Sequence, residues 1–308
     1  MNDRIHNAGP LKAPTILGGI IGDVVGSRFE FNPVKTKQFD WLSGVPYRED
    51  INIKEWRTSS HFTDDTVLTI AVAQALLDAN GQTTNLHALV VKNLKDFGKK
   101  YPWCNYDARL KRWLCSTNNE PYHFDDNSTA IRISAVPYFA DNLQQVKDLS
   151  RIVSETTHLH PASLKGAEAT AVAIWLALHK ATKDEIKQEI TKNYYQLDFE
   201  YDALVKQYAT RQYHDFYDLE KFPDYCITCQ DCVPQAIYAF LIANDYEDAV
   251  RTAVALGGAA DSMANIAGAI AGAYYGIPDQ IKTEVLKFLP AEFQEIITKF
   301  EKHFNKIQ

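Results

Sequence analysis

Residues 257–276 read GGAADSMANIAGAIAGAYYG, a run of small and apolar residues with almost no polar face. A helix that is apolar on every side must be buried on every side, and Gly and Ala on its surface let neighbouring backbones approach closely. The helix expected over 262–275 is therefore the central element of a bundle. The apolar stretch 263–277 carries Asn265 and is shorter than the roughly 18 apolar residues a membrane span requires, which places it in a protein core.

Apolar residues recur at helical spacing along most of the remaining chain, and strand-like alternation is scarce. The chain reads as all-α. The spacing predicts helices over 66–79, closed by Asn80-Gly81, and over 86–99, 143–155, 164–180, 183–193, 233–243, 246–256, 279–288 and 291–304. Thr182 is placed to cap the helix at 183 with Glu185 as its capping-box partner, and Pro278 and Pro290 stand where helix starts are expected. Two stretches, 32–61 and 211–231, are aromatic, charged and irregular. Long loops in compact domains often carry function. Neither a linker nor a repeat divides the chain, so residues 1–308 are expected to form one domain and to act as a monomer.

The apolar fraction of 46% supports a large core, and a net charge of -7 without a basic run argues against nucleic acid as partner. The N-terminus lacks the basic-then-apolar order of a signal peptide, and five cysteines are an odd count, so a reduced, cytoplasmic location is expected. Cys226, Cys229 and Cys232 form a CxxCxxC run. A tetrahedral metal site needs a fourth ligand, and no motif nominates Cys104 or Cys115. Small buried thiols are the expected reading.

Phe62-Thr63-Asp64-Asp65-Thr66 puts two adjacent carboxylates and a hydroxyl at the start of a strongly helical run. Capping and dipole complementarity alone account for such a pattern. An all-oxygen donor set equally suits Mg²⁺ or Mn²⁺. Leu256-Gly257-Gly258-Ala259-Ala260-Asp261-Ser262 brings another carboxylate to the start of the buried Gly/Ala helix, where it is costly unless a cation or donors compensate. A further carboxylate, Glu30, ends the run Gly22-Asp23-Val24-Val25-Gly26-Ser27-Arg28-Phe29-Glu30.

With Gly18-Gly19-Ile20-Ile21-Gly22-Asp23, Thr157-His158-Leu159-His160-Pro161 and Cys229-Gln230-Asp231-Cys232-Val233-Pro234-Gln235-Ala236, these segments resemble the ADP-ribosylglycohydrolase family in order and spacing. The resemblance implies a compact orthogonal multi-helix bundle around a dinuclear Mg²⁺ or Mn²⁺ cleft that hydrolyses the bond between ADP-ribose and a protein side chain or a related small molecule. Carried over motif by motif, it implies Thr63, Asp64, Asp65, Asp261 and Ser262 as metal ligands and Glu30, Asp64 and Asp65 as catalytic residues. Asn127, Ser128 and His158 are implied to bind substrate, and His160 is expected to be structural.

Two departures stand against that pattern. Relatives read Gly-Gly-Asp-x-Asp at the second metal segment, and here Ala259 fills the first aspartate position, which weakens at least one ion site. A natural inactive relative, an active enzyme with an altered site and a deliberate substitution all fit this difference. In Asp125-Asp126-Asn127-Ser128-Thr129-Ala130-Ile131-Arg132, Asp126 and Ser128 replace the two glycines of a loop that in relatives approaches the diphosphate. Either these acidic side chains point away, or the substrate differs, or the two aspartates simply form an Asx-type turn.

Overall fold

A computed structural model describes residues 14–30, 34–50, 52–210 and 228–305. Among them the regular structure is helical, with a lone backbone bridge between Tyr122 and His158. The helices are α1 (Leu17–Gly26), α2 (Ile53–Thr58), α3 (Asp64–Ala79), α4 (Leu86–Lys100), α5 (Ala108–Cys115), α6 (Ser128–Ile131), α7 (Leu143–Ser154) and α8 (Pro161–Leu178). They continue with α9 (Lys183–Asn193), α10 (Tyr201–Thr210), α11 (Cys229–Ile242), α12 (Tyr246–Leu256), α13 (Ala260–Tyr275), α14 (Asp279–Leu286) and α15 (Ala291–Asn305). Short 3-10 turns follow α1 at Ser27–Phe29 and α6 at Ile133–Phe139.

The Gly/Ala helix α13 lies at the centre, surrounded by α1, α8, α11 and α12. Its closest neighbour is α1. A Cβ at Gly26 would stand 2.6 Å from the Asp261 Cα, and one at Gly22 would overlap the Ala264 carbonyl. Glycine at these two positions is required by backbone-to-backbone approach. Tyr246 on α12 donates to the Gly18 carbonyl at 2.9 Å, tying a third helix to the same seam. The helix α3 packs on α4, α15 and the second 3-10 turn.

Several predicted helices begin earlier than their apolar period. Thr63 caps α3 by accepting from the Asp65 N–H at 3.2 Å, so both carboxylates fall in the first turn. His160 caps α8, its Nδ1 accepting from the Ala162 N–H at 3.3 Å, with Pro161 in the first turn. Thr228 caps α11, which therefore starts at Cys229 and contains Pro234. Pro234 has no N–H for the Gln230 carbonyl, and the Gln235 side-chain amide supplies the missing donor at 3.3 Å. First turns are polar because orphan N–H groups need acceptors, so the apolar period begins only one turn later.

The stretch 32–61 is not wholly irregular, since it contains α2. Trp56 and Tyr47 from this stretch meet Phe62 at ring separations of 5.4 and 5.6 Å, with Phe293 on the other side at 5.2 Å. These rings fix the approach to Thr63. Residues 211–227, including Cys226, lie outside the described residues. Cys229 and Cys232 are free, fully buried thiols, and burial pushes both well above the ordinary thiol range. The capping box of Thr182 and Glu185 is present, with Glu185 Oε2 accepting from the Thr182 N–H at 2.8 Å. No helix among the described residues is long and apolar enough to cross a membrane.

Candidate active site

The N-termini of α3 and α13 meet beside the end of α1. Gly257 and Gly258 adopt positive φ of 87° and 73°, turning the chain out of α12 so that Asp261 and Ser262 occupy the first turn of α13. Glu30, just beyond the 3-10 turn after α1, donates a hydrogen bond to Asp261. Ser262 donates to Asp65. The structure thus gathers Glu30, Thr63, Asp64, Asp65, Asp261 and Ser262 where α1, α3 and α13 converge.

Asp23 is the member that sequence reasoning left unassigned. From α1 it accepts from the Thr63 N–H at 2.9 Å, the Thr63 hydroxyl at 2.7 Å, the Thr66 N–H at 3.1 Å and the Thr66 hydroxyl at 2.5 Å. One buried carboxylate satisfies the orphan Thr66 N–H of α3 and orients Thr63. The available signal was an acidic residue in an otherwise apolar, glycine-rich run.

Asp23, Glu30, Asp65 and Asp261 are buried, and Asp64 is partly exposed. Burial, followed by mutual repulsion, lifts Glu30, Asp64 and Asp65 well above the ordinary carboxylate range. Asp261 rises to about 7 by burial and the nearby Asp23 charge, and Asp23 to about 6 by burial against its four hydrogen bonds. The largest causes of these shifts are burial and neighbouring carboxylates, offset by hydrogen bonds. Several like charges in one buried place call for a compensating cation.

The residues fit a hard divalent ion in chemistry: the donors are all oxygen, and one buried carboxylate oxygen of Asp65 has no hydrogen-bond partner among the described residues. Glu30 and Asp261 nevertheless bond each other, and among the described residues no three His, Cys, Asp or Glu side chains already surround a single point. Ala259, the N-cap residue of α13, offers no side-chain oxygen to complete such a ring.

The remaining expected site residues form a second cluster. Asn127 donates to the Cys232 sulfur at 3.6 Å, and Cys232 lies within electrostatic reach of Asp65 and Asp261, so the loop 125–128 borders the carboxylates. Thr69 of α3 donates to the Ile131 carbonyl at 3.1 Å, which fixes α6 beside α3. His158 is fully buried, its Nε2 2.8 Å from Asp126 Oδ2 and its Nδ1 2.7 Å from the Thr157 hydroxyl. Asp126 is turned into the protein: its Oδ1 accepts from the Ser128 N–H at 2.9 Å in an Asx turn and also from the Ser128 hydroxyl. A surface recess of about 670 Å³ between Lys37, Gln38, Phe39, Asp40 and Arg251 is lined by solvent-accessible charges. Chemistry outweighs shape here, because the buried carboxylates call for compensation.

The sequence model described as ADP-ribosylglycohydrolase matches residues 13–306. The chain belongs to the ADP-ribosylglycohydrolase family. It is 26% identical to the ADP-ribosylhydrolase ARH3 of Gallus gallus, covering 85% of this chain and 84% of the relative. It is 25% identical to the ADP-ribosylarginine hydrolase Tri1 of Pseudomonas putida, covering 85% and 70%. A solved ADP-ribosylglycohydrolase-related protein complex superposes with a TM-score of 0.60 at 19% identity over 94% of this chain and 96% of its own, a likeness of fold. Membership places this all-α chain among hydrolases.

Proposed function

We propose that this chain hydrolyses an ADP-ribosyl glycosidic linkage, releasing ADP-ribose from a modified protein side chain or a related small molecule. The observation that carries this reading is the convergence of Glu30, Thr63, Asp64, Asp65, Asp261 and Ser262 into one buried acidic site at the ends of three helices, in a chain of this family. Thr63, Asp64, Asp65, Asp261 and Ser262 would hold Mg²⁺ or Mn²⁺. When bound, a divalent cation supplies orientation of the ribose hydroxyls and activation of water. Glu30, hydrogen-bonded to Asp261, is the group that moves a proton at its carboxyl oxygen. The acidic surroundings favour positive charge developing on the ribose ring as the bond from its anomeric carbon to the acceptor breaks and a water oxygen replaces it. Asn127 and Ser128 would orient the substrate, with His158 held beneath them.

The test incubates the protein and Mg²⁺ with ADP-ribosyl-arginine, ADP-ribosyl-serine and O-acetyl-ADP-ribose and follows release of ADP-ribose, with Asp65→Asn as control. Release that the control abolishes supports the reading. A second reading, a weak or inactive member that binds an ADP-ribose-like ligand, is favoured by Ala259. Ligand binding without release from any of the three compounds would select it.

A further inference from the structure

The segment 101–109 links the two clusters. At one end the Tyr101 ring meets Phe62, the neighbour of Thr63, at 5.8 Å, and the Tyr101 hydroxyl donates to Glu292 at 3.0 Å. At the other end Asp107 caps α5 by accepting from the Arg109 N–H at 2.8 Å, and the Arg109 guanidinium lies 3.5 Å over Phe124, which leads into the loop 125–128. Held at both ends, the segment runs beside Asp64: Tyr106 and Asp107 both lie within electrostatic reach of that carboxylate.

Tyr106 is 8% exposed, and its hydroxyl has no hydrogen-bond partner among the described residues. Other buried tyrosines are tied down, as Tyr138 is to the Thr15 carbonyl and Tyr246 to the Gly18 carbonyl, each at 2.9 Å. A buried hydroxyl without an acceptor costs stability, so it calls for a partner from outside the chain. Burial pushes the Tyr106 phenol well above its ordinary range, which keeps it a donor at neutral pH. The carboxylate site is short of such donors. The Thr63 hydroxyl is given to Asp23 at 2.7 Å, Ser262 donates to Asp65 and Glu30 to Asp261. A sugar oxygen that needs a donor beside Asp64 finds one in Tyr106.

We infer that Tyr106 is a further substrate-binding residue, whose hydroxyl donates to an oxygen of the ribose held beside Asp64. This rests on the reading of the carboxylates as a site that cleaves ribosyl glycosides.

Tyr106→Phe removes the oxygen and keeps the ring. Parent and variant are titrated calorimetrically, in buffer containing Mg²⁺, with ADP-ribose and with ADP, which lacks the terminal ribose. The ligand-free proteins are also unfolded in urea. The variant's urea midpoint should equal or exceed the parent's, because an unsatisfied polar group has been removed. ADP-ribose should nevertheless bind about fivefold or more weakly to the variant, the size expected for one lost hydrogen bond, with ADP affinity within about twofold of the parent's. A structural hydroxyl gives the opposite pattern, a lower midpoint or a variant that does not fold, with ADP-ribose affinity unchanged wherever it folds, and either result overturns the inference. An equal loss for ADP overturns it as well, since the hydroxyl would then serve the nucleotide rather than the terminal ribose. A parent that binds no ADP-ribose sinks the functional reading itself, and the ribose assignment of Tyr106 falls with it.

Discussion

At Ala259 a methyl group stands at the N-cap of α13, just before Asp261, whose carboxyl is lifted by burial and the Asp23 charge. Adding a carboxylate there supplies both a cap acceptor and a further hard ligand. Ala259→Asp is expected to add a second Mg²⁺ binding event, or to tighten the first by about tenfold or more, in calorimetry on chelator-treated protein. If the variant's isotherm matches the parent's, the missing ligand is not what limits the site. Asp126 lends itself to a stability test. Its folded pKa is depressed, because His158 and Ser128 outweigh burial, so its contribution is present above the unfolded value of about 3.9 and is lost as pH falls through the folded value. Asp126→Asn should cost about 2 kcal/mol at pH 7, in the range for weakening a buried charged hydrogen bond. In urea denaturation the gap should shrink toward pH 3.5. A gap that is constant with pH would show that charge is not the source.

Between elements, the seam of α1 and α13 is the contact least able to yield. A Cβ at Gly22 would overlap the Ala264 carbonyl, whereas a Cβ at Gly98 in α4 would meet the Leu114 methyls at 2.8 Å. Both substitutions to alanine gain up to about 1 kcal/mol from helix propensity. At Gly22 the obstacle is backbone, and overpacking of about 3 kcal/mol or more outweighs the gain. At Gly98 the obstacle is a side chain that can change rotamer, so the two effects nearly cancel. Urea denaturation should therefore rank Gly22→Ala as strongly destabilising and Gly98→Ala as near neutral. Equal costs at the two sites would show that the helices can separate without penalty. Because α1 carries Asp23 and leads through its 3-10 turn to Glu30, loosening this seam should also displace the acid pair at Asp261.

Across the whole molecule, a cation at the carboxylates would link α1, α3 and α13 in the folded state alone, so it should stabilise by mass action, about 2.7 kcal/mol at a hundredfold excess over its Kd. Mg²⁺ is expected to raise the Tm of chelator-treated protein by a few degrees, and Asp65→Ala should erase the rise. An equal rise in the variant would place the ion elsewhere. The sequence by itself determined the all-α class and the burial of the Gly/Ala helix, because an apolar period of 3.6 residues and small side chains act locally and need no knowledge of partners. It likewise determined the capping of α9 by Thr182 and Glu185, a contact confined to one helical turn. It also placed Glu30, the Asp64-Asp65 pair and Asp261 in separate motifs whose order resembles the family's. The tertiary structure alone decided that Asp23 organises the start of α3 from 40 residues away and that Asp126 turns inward to His158 across 32. The reason is physical: a carboxylate takes whichever donors the fold brings near it, and those donors come from helix ends whose meeting depends on how the whole bundle packs.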